Sequence, residues 1–174
     1  SEVKAIGPSG TDSPLSLPSV SRHLNVPDNW QLYLATPGGS CMSGVEEIKF
    51  FANNTPIPPD EVMATADAID NFVIKGIEDE NLNLLKSGLQ SLGRVGFKAR
   101  EIVNQSSAVR LFLADVNNSD YLTGGLSSFG PTIYIFAERD NSHALECLEK
   151  ISAKHGVSVR SAQPAPIGCG FFVT

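Results

Sequence analysis

The sequence predicts an α+β domain, a mainly antiparallel sheet covered on one face by helices. Two short, alternating and aromatic-rich runs, residues 30–36 (WQLYLAT) and 131–137 (PTIYIFA), have the two-residue period of strands. Between and after them lie longer stretches whose apolar residues recur three and four apart, the helical spacing. The order of strand, several helices, strand, helix, strand, strand suits helices laid on an antiparallel sheet. No internal repeat is visible, and one domain suffices.

The first 29 residues are rich in Pro, Ser and Gly, and Pro8, Pro14, Pro18 and Pro27 break any regular element. They read as a lead-in segment that packs on another domain. The strand at 30–36 stops at Pro37, Gly38 and Gly39. Ser43 with Glu46 three residues on has the form of a capping box, opening a short helix through Phe50 and Phe51. Pro58, Pro59 and Asp60 begin a longer helix with a stripe of Val62, Ala66, Ile69 and Val73, and Gly76 is its stop signal. Leu82, Leu85, Leu89 and Leu92 form the stripe of a second helix ending at Gly93, so the two make a helical hairpin. Residues 94–116 predict one or two further helices with Val109, Leu111, Leu113 and Val116 partly buried. The strand at 131–137 is entered from a loop of Gly124, Gly125, Leu126, Ser127, Ser128, Phe129 and Gly130. Asp140 or Ser142 starts a helix carrying Ala144, Leu148 and Ile151, closed by Lys154, His155 and Gly156. Short strands at 157–159 and 170–174 complete the order.

With 41% hydrophobic and 18% charged residues, the chain has a globular rather than a disordered composition. The net charge is −6 and the basic residues are scattered, which argues against an extended nucleic-acid partner. A small phosphorylated ligand needs only two or three cations. No apolar run approaches the roughly 18 residues of a membrane span, and no basic-then-apolar leader opens the chain. Cys41, Cys147 and Cys169 form no CxxC pair, so neither a disulfide framework nor a zinc ribbon is expected, and a cytoplasmic location follows. The chain begins at Ser1 rather than Met, which suggests an upstream segment.

Three segments could carry chemistry. In GGLSSFGP, from Gly124 to Pro131, glycines and serines supply backbone freedom and closely spaced donors able to wrap an anion. A tight connection into a buried strand is the alternative. The loop PGGSCMSG, from Pro37 to Gly44, leads into a helix N-terminus, a usual anion position. Glu46 and Glu47 already complement that helix dipole, so a phosphate would need a divalent cation between, and a plain helix start is the alternative. Arg94, Lys98 and Arg100 place three cations in seven residues, fit to clamp a phosphate or carboxylate or simply to sit in a solvated turn. His23, His143 and His155 share no ligand spacing, so zinc is not expected. Cys41 has no recognisable His partner, which favours an inert thiol.

Taken together, WQLYLATPGGSCMSGVEEIKFF with PIPPDE, LGRVGFKAREIV, and GGLSSFGPTIYIF resemble, in order and spacing, the beta-ribofuranosylaminobenzene 5'-phosphate synthases, members of the GHMP kinase superfamily. The resemblance covers most of the chain from Trp30 onward, and GGLSSFGPTIY also looks like the third GHMP motif. It implies that residues 30–174 are a GHMP-type C-terminal domain of ferredoxin-like type. It further implies condensation of phosphoribosyl pyrophosphate with 4-hydroxybenzoate, releasing pyrophosphate and carbon dioxide, on the way to a methanopterin-type coenzyme, with Mg2+ on the pyrophosphate. On this resemblance Gly124, Gly125, Ser127, Ser128 and Gly130 line the anion site, Lys98 and Arg100 neutralise phosphate or carboxylate, and Glu46 and Glu47 face the metal or the substrate. The superfamily's N-terminal domain, with its own phosphate loop, has no counterpart in residues 1–29. It is therefore the expected partner, this chain alone is expected to be inactive, and a homodimer is a further expectation. Two other readings stand beside this one: an ATP-dependent GHMP small-molecule kinase, and a non-catalytic binding or dimerisation module working through the helical hairpin.

Overall fold

The computed structural model describes residues 22–39 and 41–164. The expected strand at 170–174, Cys169 and most of the 1–29 segment lie outside the described residues. Strand β1 (Trp30–Ala35) pairs antiparallel with β3 (Ile133–Glu138), from Trp30 opposite Glu138 to Ala35 opposite Ile133. Strand β2 (Leu122–Leu126) pairs with the other edge of β3, and β4 (Val159–Ala162) with β1, giving an antiparallel sheet in the order β2-β3-β1-β4. Sequence periodicity placed β4 two residues too early and did not anticipate β2.

Alternation along the strands decides which side is covered. Ile133, Ile135 and Ala137 of β3, Leu122 and Leu126 of β2 and Ala35 of β1 are buried together. Helix α6 (Ser107–Asn118) closes that layer with Val109, Phe112, Leu113 and Val116, and α7 (Ser142–His155) with Ala144, Leu148 and Ile151. Leu111, expected among the buried residues, is exposed, because the inward face of α6 runs through Phe112 instead. The N-cap of α7 is Asn141, whose side chain accepts from the backbone N–H groups of His143 and Ala144. Gly156 closes the helix in the left-handed conformation at φ 63°.

Helix α1 (Val45–Asn54) departs from the expected capping box. Gly44, at φ 63°, takes the N-cap position and no side chain caps the helix, so Ser43 falls one residue outside it. Helix α2 (Pro59–Ala68) runs on through a π-helical segment (Ile69–Ile74) into α3 (Lys75–Glu78). Gly76 is therefore not a stop. It is buried inside the helix, where a Cβ would stand 2.6 Å from the backbone nitrogen of Leu85 on α4 (Leu82–Leu92). Gly88 does the same from α4, where a Cβ would meet Val73 Cγ2 at 2.8 Å, so two bare positions set the approach of the hairpin's arms. The expected stripe is also displaced. Val62, Ala66 and Ile69 face solvent, whereas Thr65, Ala68, Phe72 and Gly76 turn inward. The wider π turn carries an additional residue, so one helical period cannot describe both halves of this long helix. Helix α5 (Gly96–Val103) links the hairpin to α6. Among the described residues no helix is long and apolar enough to cross a membrane.

Gly76→Ala is expected to lower stability by about 1–3 kcal/mol through overpacking against Leu85. Gly38→Ala, where nothing lies within 4 Å, should leave it nearly unchanged. Urea denaturation midpoints of the two variants check the contrast.

Candidate functional site

The two glycine-bearing loops read from the sequence meet at one end of the sheet. Residues 127–130 form a tight turn between β2 and β3, with Ser127 N–H donating to Thr132 O at 2.9 Å and Gly130 N–H to Ser127 O at 2.8 Å. Ser128 (φ 46°) and Gly130 (φ 69°) both occupy the left-handed region. The buried Gln105 amide donates from Nε2 to Phe129 O at 2.7 Å, and a Cβ on Gly130 would stand 2.6 Å from Gln105 Oε1, so glycine is required there. Phe129 is drawn inward and packs edge-on against Phe50 and Phe51 of α1 and Phe97 of α5. Pinned from beneath in this way, the turn leaves Ser127 and Ser128 exposed. Beside it, the N-cap of α6, Ser106, donates from Oγ to Gly38 O at 2.8 Å, and the hydroxyls of Thr36 and Thr132 lie 3.2 Å apart.

The three clustered cations go to three different places. Lys98 reaches the turn, with Nζ 3.3 Å from Ser128 O and 3.5 Å from Leu126 O, and forms an ion pair with the buried carboxylate of Glu101. Arg100 instead faces α2, where its two terminal nitrogens grip Glu61 at 2.6 and 3.0 Å. Glu61 Oε2 also accepts from Gly96 N–H at 2.9 Å, so one carboxylate both caps α5 and holds its arginine. That hydrogen bonding to Arg100 lowers the Glu61 pKa below the ordinary glutamate value and raises that of Arg100. The guanidinium is thus engaged away from the turn. Arg94 is exposed, on the connection between α4 and α5.

Gly124 and Gly125 are strand residues rather than part of a loop, paired with Ile135 and Tyr134 of β3. The side chain of Asn117 meets Gly124 on its open edge, accepting from its N–H at 3.0 Å and donating to its carbonyl at 3.1 Å. Gly125 lies against the Tyr134 ring, and a Cβ there would collide with the phenol oxygen. The exposed part of the expected anion site is therefore Ser127 and Ser128, with Gly130 shaping the turn. Glu46 and Glu47 stand in the first turn of α1. Among the described residues no three His, Cys, Asp or Glu side chains gather as a metal site. Two neighbouring carboxylates do not by themselves complete a magnesium site.

The sequence reading missed Gln105, Glu101, Glu61 and Asn117. Only Glu101 carried a signal, at three residues from Lys98 on one helix face; the others act across distances that no local pattern encodes.

Because its folded pKa is lowered, Glu61 contributes stability that is present above the unfolded value of about 4.3 and is lost as pH falls through the folded value. Glu61→Gln should therefore lower the melting temperature at pH 7, with a deficit against wild type that shrinks as acid protonates the carboxylate. Melting curves from pH 7 to about pH 3 check this.

No protein-family model matches the sequence. The chain is 30% identical, over 129 residues and 74% of its length, to the beta-ribofuranosylphenol 5'-phosphate synthase of Methanocaldococcus jannaschii, and spans 38% of that protein. In fold it is similar to crystal structures of two GHMP kinases. Homoserine kinase from Cytophaga hutchinsonii matches with TM-score 0.58 and 12% identity, over 80% of this chain and 42% of that one. Streptococcus pneumoniae phosphomevalonate kinase matches with TM-score 0.57 and 10% identity, over 79% and 41%. At those identities the two kinases establish the architecture alone, while the synthase relates the sequence itself. The motifs, the relative and the fold point the same way: in sequence the chain is similar to a beta-ribofuranosylphenol 5'-phosphate synthase over 74% of its own length, and in architecture to the two kinases.

Proposed function

We propose that the chain is the C-terminal domain of a cytoplasmic transferase that joins the ribosyl carbon of phosphoribosyl pyrophosphate to 4-hydroxybenzoate. The anomeric carbon bonds to the ring carbon para to the hydroxyl, pyrophosphate leaves with the electron pair of its C–O bond, and the ring-to-carboxylate bond breaks to release carbon dioxide. The product is a ribofuranosylphenol phosphate, the compound named in the related synthase. The observation that carries this reading is the exposed Ser127 and Ser128 turn with the Lys98 ammonium beside it. Hydroxyl donors and one cation at a pinned turn suit an anionic group that must be held in a fixed position. Phe129 and Gln105 hold the turn, and Glu101 holds the lysine. Magnesium enters as the counter-ion of the substrate's pyrophosphate. The remaining contacts come from an N-terminal domain, and the chain alone is inactive.

A complete protein incubated with phosphoribosyl pyrophosphate, magnesium and carboxyl-labelled 4-hydroxybenzoate should release labelled carbon dioxide. Lys98→Ala should raise the KM for phosphoribosyl pyrophosphate about tenfold, the loss of one charge-assisted hydrogen bond, and should also lower the melting temperature, because it strips the buried Glu101 carboxylate of its counter-ion. Absence of labelled carbon dioxide under all conditions sinks the proposal. The kinase folds of the two structural neighbours favour a second reading, a small-molecule kinase, which would show itself as conversion of ATP to ADP without decarboxylation.

A further inference from the structure

An open groove of about 530 Å3 runs along the outer edge of β2, between the hairpin and α6. Its floor includes Gly124 and Gly125, where the absent side chains leave the strand edge low and the Tyr134 ring borders it. Leu89, Ile102 and Leu113 make its walls apolar; Arg94 and Arg110 line it as exposed cations, and Lys98, ion-paired with Glu101, lines it as well. The charges are the informative part. In this acidic chain Arg22, Lys98, Arg100, Lys150 and Lys154 each pair with a carboxylate, and Arg139 donates to the carbonyls of Asp28 and Trp30. Among the described residues Lys49, Lys75, Lys86, Arg94, Arg110 and Arg160 form no ion pair, and of these six Arg94 and Arg110 line this groove. The volume lies in the range of small-molecule sites, which combine apolar walls with a few convergent polar groups.

We infer that this groove is a second small-molecule site, taking an amphipathic carboxylate whose apolar body lies against the glycine floor and whose anionic head is held by Arg94 and Arg110. The groove shares Lys98 with the serine turn, but it adds guanidinium forks and apolar walls where the turn offers hydroxyls. The inference does not rest on the transferase reading, and it can hold or fail separately.

Calorimetry of the 174-residue chain with 2-naphthoate tests it. Saturable one-to-one binding is expected, with amide shifts centred on Gly124, Gly125 and Ala114. The double variant Arg94→Ala/Arg110→Ala should weaken it at least tenfold, as should replacement of the probe by its uncharged methyl ester. Ala114→Trp, at an exposed position lining the groove, should block binding with the melting temperature unchanged. Three results would each overturn the assignment: no saturable binding at millimolar probe, affinity that survives the double arginine variant, or shifts centred on the exposed Val45, Ile48 and Met63 or on Ser127 and Ser128.

Discussion

The bare backbone of Gly124 is the constraint on which the arrangement of this domain rests. A Cβ there would stand 2.5 Å from Tyr134 O and 3.3 Å from Val116 Cγ1, so any larger residue would part β2 from β3 or lift α6 off the sheet. With glycine in place, α6 lies close enough for Asn117 to bond both polar groups of Gly124, closing an edge that would otherwise offer itself to another strand. The same seating brings the start of α6 to the far end of the sheet. There Gln105 holds Phe129 and Ser106 holds Gly38. The position of the exposed serines thus follows from a contact about three helical turns away.

Electrostatics completes what packing begins. Glu101 is buried and needs a partner, and Lys98 supplies it while bridging from α5 to the carbonyls of the serine turn. Glu61 and Arg100 tie α2 to α5 through paired hydrogen bonds, which fixes the helix that carries Lys98. The lysine and the arginine look alike in the sequence, two residues apart, yet one helix turns them toward different neighbours: the turn for Lys98, and the hairpin for Arg100.

Much of the architecture was legible because strands and helices with one apolar face announce their period. β1 and β3 came from alternation, and α7 came from spacing together with a glycine at its end. β2 was illegible for a physical reason. A strand of Leu, Thr, Gly, Gly and Leu has little side-chain pattern, and its glycines serve close packing although their composition reads as a loop. The serine turn and Lys98 were found from local composition. Gln105, Glu61 and Asn117 were not, because each acts across at least seven residues of sequence and belongs to no short motif.

The π-helical segment also bears on which changes of length this protein can accept. Deleting one residue within Ile69–Ile74 would restore an ordinary α-helical turn, a local change that costs little in itself. It would also rotate everything upstream by about 100° relative to the sheet. Glu61 would swing away from Arg100 and Gly96, and Thr65 and Ala68 would leave their neighbours for solvent. A single-residue gap that looks trivial in an alignment would therefore unfasten α5 from α2, and with it the support beneath the lysine at the serine turn.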